Sequence, residues 1–138
     1  MRYPAIWAWD MGQQRVLIVD DEPSLLRMMT VFLERQGFLV ADAATAEAAW
    51  SQIQSAPGHF DVVVLDGTLS GMGTEELAID MLTASPHLRV LAASGYPMDM
   101  TTFEAAAPGR VAFLQKPFGP AALVAAVRRL VGAQEESL

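Results

Sequence analysis

A chain of 138 residues that is 52% hydrophobic and has no cysteine can bury one stable core and is too apolar to stay disordered, but it can hold neither a disulfide framework nor a thiolate metal site. Its formal charge of -7, with only nine Lys and Arg, argues against direct nucleic-acid binding, which needs clustered cations facing phosphates. No apolar stretch approaches the roughly twenty residues that cross a bilayer, and the first residues lack a signal-peptide pattern, so the expectation is one cytoplasmic domain without membrane contact.

Residues 1–14 carry Tyr3, Trp7 and Trp9 in neither helical nor alternating spacing. They read as an extension before the domain, either a plain linker or an aromatic docking arm. From Arg15 onward, short apolar runs alternate five times with segments of helical period, the pattern of strand-helix units in a parallel sheet. Val16 to Val19 is a continuous aliphatic run, as expected of a strand covered on both faces. The helix after it presents Leu25, Met28, Met29, Phe32 and Leu33 on one side, with Pro23 suited to its first turn and Gly37 to its stop.

Phe38 to Ala43 reads as the second strand. Thr45 then caps a helix with Ala46, Ala49, Trp50 and Ile53 on its core stripe, closed by Pro57 and Gly58. Asp61 to Leu65 forms the third strand, and Glu75 and Glu76 favour the start of a helix through Leu77, Met81 and Leu82, ended by Ser85 and Pro86. Arg89 to Ala93 is the fourth strand, followed by a short helix within Asp99 to Ala107. Val111 to Gln115 is the fifth, and a last amphipathic helix with Leu123, Val124, Val127, Leu130 and Val131 is expected to end near Gly132. The domain therefore spans 15–132, with 133–138 as a frayed tail.

The expected fold is α/β, a doubly wound five-stranded parallel sheet of flavodoxin-like order 2-1-3-4-5, in which strands one and three are neighbours. Ligands in such sheets bind outside the carboxyl ends of the strands, at the point where the order reverses. Asp20 and Asp21 follow the first strand, Asp66 the third, Ser94 the fourth and Lys116 the fifth. Three carboxylates sharing one crevice need a compensating cation, and oxygen-only ligands suit Mg2+. A carboxylate beside Mg2+ and a lysine is placed to attack phosphorus, giving an aspartyl phosphate.

The segments VLIVDDEP, VVVLDGTLSGM, LAASGY and FLQKPF, in this order and on these elements, resemble the response-regulator receiver domain of two-component signalling, over Arg15 to about Val131. The resemblance implies Asp66 as phosphoacceptor, Mg2+ held by Asp20, Asp21, Asp66 and the backbone carbonyl of Thr68, Ser94 as switch hydroxyl, and Lys116 as the phosphate-binding lysine. It also implies Phe113 as an aromatic that turns inward on activation, and a cis bond before Pro117. A histidine kinase or histidine phosphotransfer protein would be the donor, the downstream effector is unspecified, and pairing as a homodimer is a further family habit.

SGY at Ser94 to Tyr96 is similar to receivers attached to hybrid sensor kinases. Residues 67 to 70 lack the family's usual apolar residue and nearby proline, so with Gly67, Gly71 and Gly73 the acceptor loop is expected to be freer than usual. Two other functions stay open. One is a receiver-fold interaction domain without phosphorylation; the other is a Mg2+-dependent phosphohydrolase, whose Asp-x-Asp signature is absent because Glu22 stands two residues after Asp20. His59 and His87 read as solvated, and Met98 and Met100 as gap fillers or a partner surface.

Overall fold

The computed structural model describes the backbone of residues 13–69 and 73–136. The aromatic extension through residue 12, Gly71 and the last two residues lie outside the described residues. Five parallel strands, β1 (Arg15–Val19), β2 (Leu39–Ala43), β3 (Val62–Asp66), β4 (Arg89–Ser94) and β5 (Val111–Gln115), stand in the order β2-β1-β3-β4-β5. The helices are α1 (Pro23–Arg35), α2 (Ala46–Ser55), α3 (Thr74–Ala84), α4 (Thr101–Ala106) and α5 (Pro120–Glu136).

Alternation along the strands divides the core in two. Leu17, Val19, Val63 and Leu65 face α2, α3 and α4, where they meet Ile53, Leu77, Met81 and Phe103. Val16, Ile18, Val62 and Val64 face α1 and α5, against Met29, Leu33, Leu123 and Val127. A strand covered on both sides has no polar face, which is why β1 and β3 read as unbroken apolar runs.

Helix ends follow the sequence signals closely. Thr45 Oγ1 accepts the Ala48 amide at the start of α2. At the end of α1, Phe38 N–H donates to Leu33 O and Gly37 N–H to Glu34 O, a paired closure that needs the left-handed backbone of Gly37, φ 96°. Several boundaries differ from expectation: β2 begins at Leu39 rather than Phe38, and β3 at Val62 rather than Asp61. β3 and β4 each run one residue further, so Asp66 and Ser94 are last strand residues, held by the pairings Asp66 with Ala93 and Ser94 with Gln115. α5 passes through Gly132 to Glu136, a continuation that glycine weakens by only about 1 kcal/mol relative to alanine. Trp50 is half-buried at the rim of its core cluster, outside the fully buried stripe of Ala46, Ala49 and Ile53.

Gln14, grouped by sequence with the extension, already joins the domain: its carbonyl accepts the Leu39 amide. Arg110, just before β5, closes the opposite end of the sheet. Its Nε donates to Leu88 O at 2.9 Å, and its Nη2 to Leu82 O at 3.0 Å and Ser85 O at 2.6 Å. The guanidinium thus satisfies carbonyls left open where α3 stops. Arg110→Ala is expected to lower unfolding free energy by about 1–3 kcal/mol in urea titrations, and Arg110→Lys to recover less than half, because an ammonium lacks the planar fork.

Candidate functional site

Asp20 follows β1 directly and Asp66 ends β3, and the register pairs Val19 with Leu65 one residue earlier. The two carboxylates therefore emerge side by side at the carboxyl edge of the sheet. Both are buried, at 1% and 3% exposure, while Asp21 is exposed at the mouth. Oxygens of Asp20, Asp21 and Asp66 lie within 4.8 Å of one another. Lys116, the residue after β5, reaches over the end of β4 and places Nζ 3.0 Å from Asp20 Oδ2 and 3.3 Å from Asp66 Oδ1. The sequence expectation that Asp20, Asp21, Asp66 and Lys116 converge is met.

Each buried carboxylate is aimed by backbone and hydroxyl donors. Asp20 Oδ1 accepts the Glu22 amide at 2.9 Å. Asp66 Oδ1 accepts the Thr68 amide at 3.1 Å and the Thr68 hydroxyl at 3.0 Å in addition to Lys116. Its backbone carbonyl accepts the hydroxyl of Thr74 at 3.2 Å, tying the first turn of α3 to the end of β3.

Three carboxylates facing one ammonium leave an excess of negative charge at neutral pH. Two unit charges about 4–5 Å apart repel by about 3–4 kcal/mol at an effective dielectric of about 20. Burial by itself disfavours the charged form of Lys116, but the hydrogen bond and charge of Asp20, joined by Asp66, outweigh it and hold the lysine pKa above its usual value. The donor set, oxygen only with two buried members and one at the solvent edge, fits a hard divalent cation that keeps part of its water.

Ser94 is buried beside the site, its Oγ accepting the Tyr96 amide at 3.1 Å. Phe113 lies partly buried in mid β5, paired with Ala92. The Lys116-Pro117 bond is cis, as expected. His87 keeps a solvent-accessible side chain, with Nε2 3.9 Å from Asp61 Oδ1, a carboxylate separated by too much sequence for local spacing to show. His59 is exposed and meets Phe60 edge to face.

Two contributors escaped the sequence reading. Glu22 caps α1 through both carboxylate oxygens, accepting from Ser24 N and Leu25 N at 3.0 Å each. Its type is less common at that position than Asp or Ser, and Pro23 at the first helical position was the usable signal. Thr74 was hidden because its partner is the backbone of a residue eight positions earlier.

A family model for the response regulator receiver domain matches residues 16–128. The DNA-binding response regulator MtrA of Mycolicibacterium smegmatis is 34% identical over 92% of this chain and 54% of its own length. Response regulator GtcR of Aneurinibacillus migulanus is 30% identical over 82% of this chain and 46% of its own. The chain thus spans about half the length of these curated relatives. Among solved structures, a CheY-like receiver domain protein from Methanospirillum hungatei superposes with TM-score 0.78 at 27% identity, covering 90% of this chain and 98% of that one. The BeF3-activated DrrB receiver domain gives 0.72 at 25% identity, covering 87% and 98%. A parallel sheet of this order, its acidic pocket and a family match across most of the chain lead to one conclusion: the chain belongs to the response regulator receiver domain family.

Proposed function

We propose that Asp66 is the phosphoacceptor of this receiver, taking its phosphoryl group from a phosphohistidine on a histidine kinase or phosphotransfer protein. The supporting observation is the Lys116 ammonium bridging Asp20 and Asp66 within a triad of carboxylates. The three donors on Asp66 converge on Oδ1, and Oδ2, which none of them reaches, is the oxygen that attacks. A phosphorus-oxygen bond forms as the phosphorus-nitrogen bond breaks, and the imidazole nitrogen leaves with the bonding electron pair. Asp20, Asp21, Asp66 and the Thr68 carbonyl would hold Mg2+, which when bound offsets charge on the phosphoryl oxygens.

Lys116 and Ser94 supply the protein's own compensation, a mobile point charge and a hydroxyl donor for the phosphoryl oxygens. An open recess of about 520 Å³ adjoins the lysine, lined by Leu25, Gly95, Tyr96, Lys116, Pro117 and Phe118; its apolar rim around a cation suits the face of a phosphodonor protein. Phosphorylation adds about -1.5 to -2 charge, enough to draw Ser94 inward and admit Phe113. The chain then acts as a signalling domain rather than on external substrates, in the cytoplasm where kinase domains meet it. Among the described residues no helix is long and apolar enough to cross a membrane.

Incubation with acetyl phosphate and Mg2+ should add one phosphoryl group to the wild-type chain by intact mass, and none to Asp66→Asn. Steady release of phosphate from unrelated monoesters would favour the phosphohydrolase instead. The Thr68 hydroxyl lies on Asp66 Oδ1, beside the path of a water attacking the phosphoryl group. Thr68→Ala is expected to change the first-order decay of labelled protein by about threefold to tenfold, a span typical of positioning a water or proton; an unchanged rate would contradict it.

Lys116 also gives the resting fold a signature in alkali. Because its folded pKa lies above the free value of 10.5, its stabilisation is complete below that value and is lost as pH rises through the folded one. Urea titrations between about pH 9 and 12 should show an alkaline loss in wild type that is smaller in Lys116→Met.

A further inference from the structure

Position 67, next to the acceptor, has no side chain, and the space is taken. A Cβ there would stand 2.9 Å from Met98 Sδ, 3.0 Å from Ser94 Cβ and 3.4 Å from Ala93 O. Real Cβ atoms do not come within 3.0 Å of a neighbour, so a side chain at 67 and the Met98 sulfur in its present seat exclude each other. Met98 is half-buried, packed on the rim of the core that also holds Leu65 and Leu77. It belongs to the loop of residues 95–100 that leaves Ser94 at the end of β4 and enters α4. At the root of that loop, Gly67 N–H donates to Ala93 O at 2.7 Å and Lys116 N–H to Ser94 O at 2.8 Å.

The loop is otherwise lightly held on this side. Tyr96 N–H bonds back to Ser94 Oγ and Thr101 N–H to Asp99 Oδ1, both contacts internal to the segment. Tyr96 itself is 72% exposed. The Met98 thioether is the loop's side-chain contact at Gly67, just after the acceptor strand, while Met100 packs on the same core nearby. An unbranched, polarisable side chain suits so irregular a gap.

We infer that Met98 is a positioning residue for the acceptor site: its sulfur, seated over Gly67, pins the 95–100 loop that leaves Ser94 and so fixes the end of β4 against the residue after Asp66. The expected looseness of an acceptor loop bearing Gly67 is thus countered at this position from the other side of the site. The inference presupposes Asp66 as acceptor, and its effect falls on capture of a phosphoryl-like group rather than on the carboxylates that would hold the cation.

The test uses the full chain and beryllofluoride, which mimics a phosphoryl group on a carboxylate, with calorimetric affinities for Mg2+ alone and for beryllofluoride at saturating Mg2+. Met98→Ala should weaken beryllofluoride binding about tenfold while Mg2+ affinity stays within about twofold, the size of coupling expected between residues in contact. Met98→Leu, of similar volume, should stay within about threefold of wild type. Gly67→Ala should weaken beryllofluoride about tenfold in the wild-type background and measurably less on top of Met98→Ala, since the sulfur is then gone while the Ser94 Cβ contact at 3.0 Å remains. Should Gly67→Ala not fold, the two Met98 variants decide alone.

Unchanged beryllofluoride affinity in Met98→Ala, a parallel fall in Mg2+ affinity, or equal cost of Gly67→Ala in both backgrounds would overturn the inference. Normal Mg2+-dependent uptake by wild type, absent in Asp66→Asn, would then leave the phosphoacceptor assignment standing. No uptake by wild type would remove both.

Discussion

The charge balance at the carboxyl edge of the sheet is the constraint on which the rest of the molecule depends. Asp20 and Asp66 are withdrawn from solvent, and a buried carboxylate persists only where donors and opposite charge offset lost hydration. Here the offset comes from backbone amides two residues further on, from the Thr68 hydroxyl, and from the Lys116 ammonium. Removing the lysine alone would leave mutual repulsion with little to oppose it. The same excess of negative charge that burdens the resting fold makes the pocket receptive to a divalent cation.

That balance requires topology before it requires any particular side chain. Asp20 and Lys116 are 96 positions apart in sequence and 3.0 Å apart in space. Only a parallel sheet sends both strand ends to one edge, and only the placement of β1 beside β3 sets Asp20 against Asp66. The helices on the two faces bury the strands, so the carboxylates stand at the edge of both halves of the core.

The legible part of this arrangement came from periodicity and punctuation. Continuous aliphatic runs announced β1 and β3, Thr45 announced the cap of α2, and Gly37 announced the closure of α1, because each signal is local and has a local cause. The clustering of Asp20, Asp21, Asp66 and Lys116 was readable once strand order was assumed. Features that depend on contacts between distant segments were not. His87 finds Asp61, Arg110 finds three carbonyls around the end of α3, and Met98 fills the space at Gly67. Helix length was misjudged at Gly132 because a single glycine is a mild penalty when neighbouring residues pack.

The two arginines near the base of α4 carry a consequence for how this molecule can change. Arg89 Nη1 donates to Gly109 O at 2.7 Å, and Arg110 fastens the chain just before β5 to Leu82, Ser85 and Leu88. The excursion from β4 through α4 to β5 is thereby stapled at its foot, independently of what the six-residue helix itself contributes. Motion of the loop or of α4 therefore need not disturb the pairing of β4 with β5.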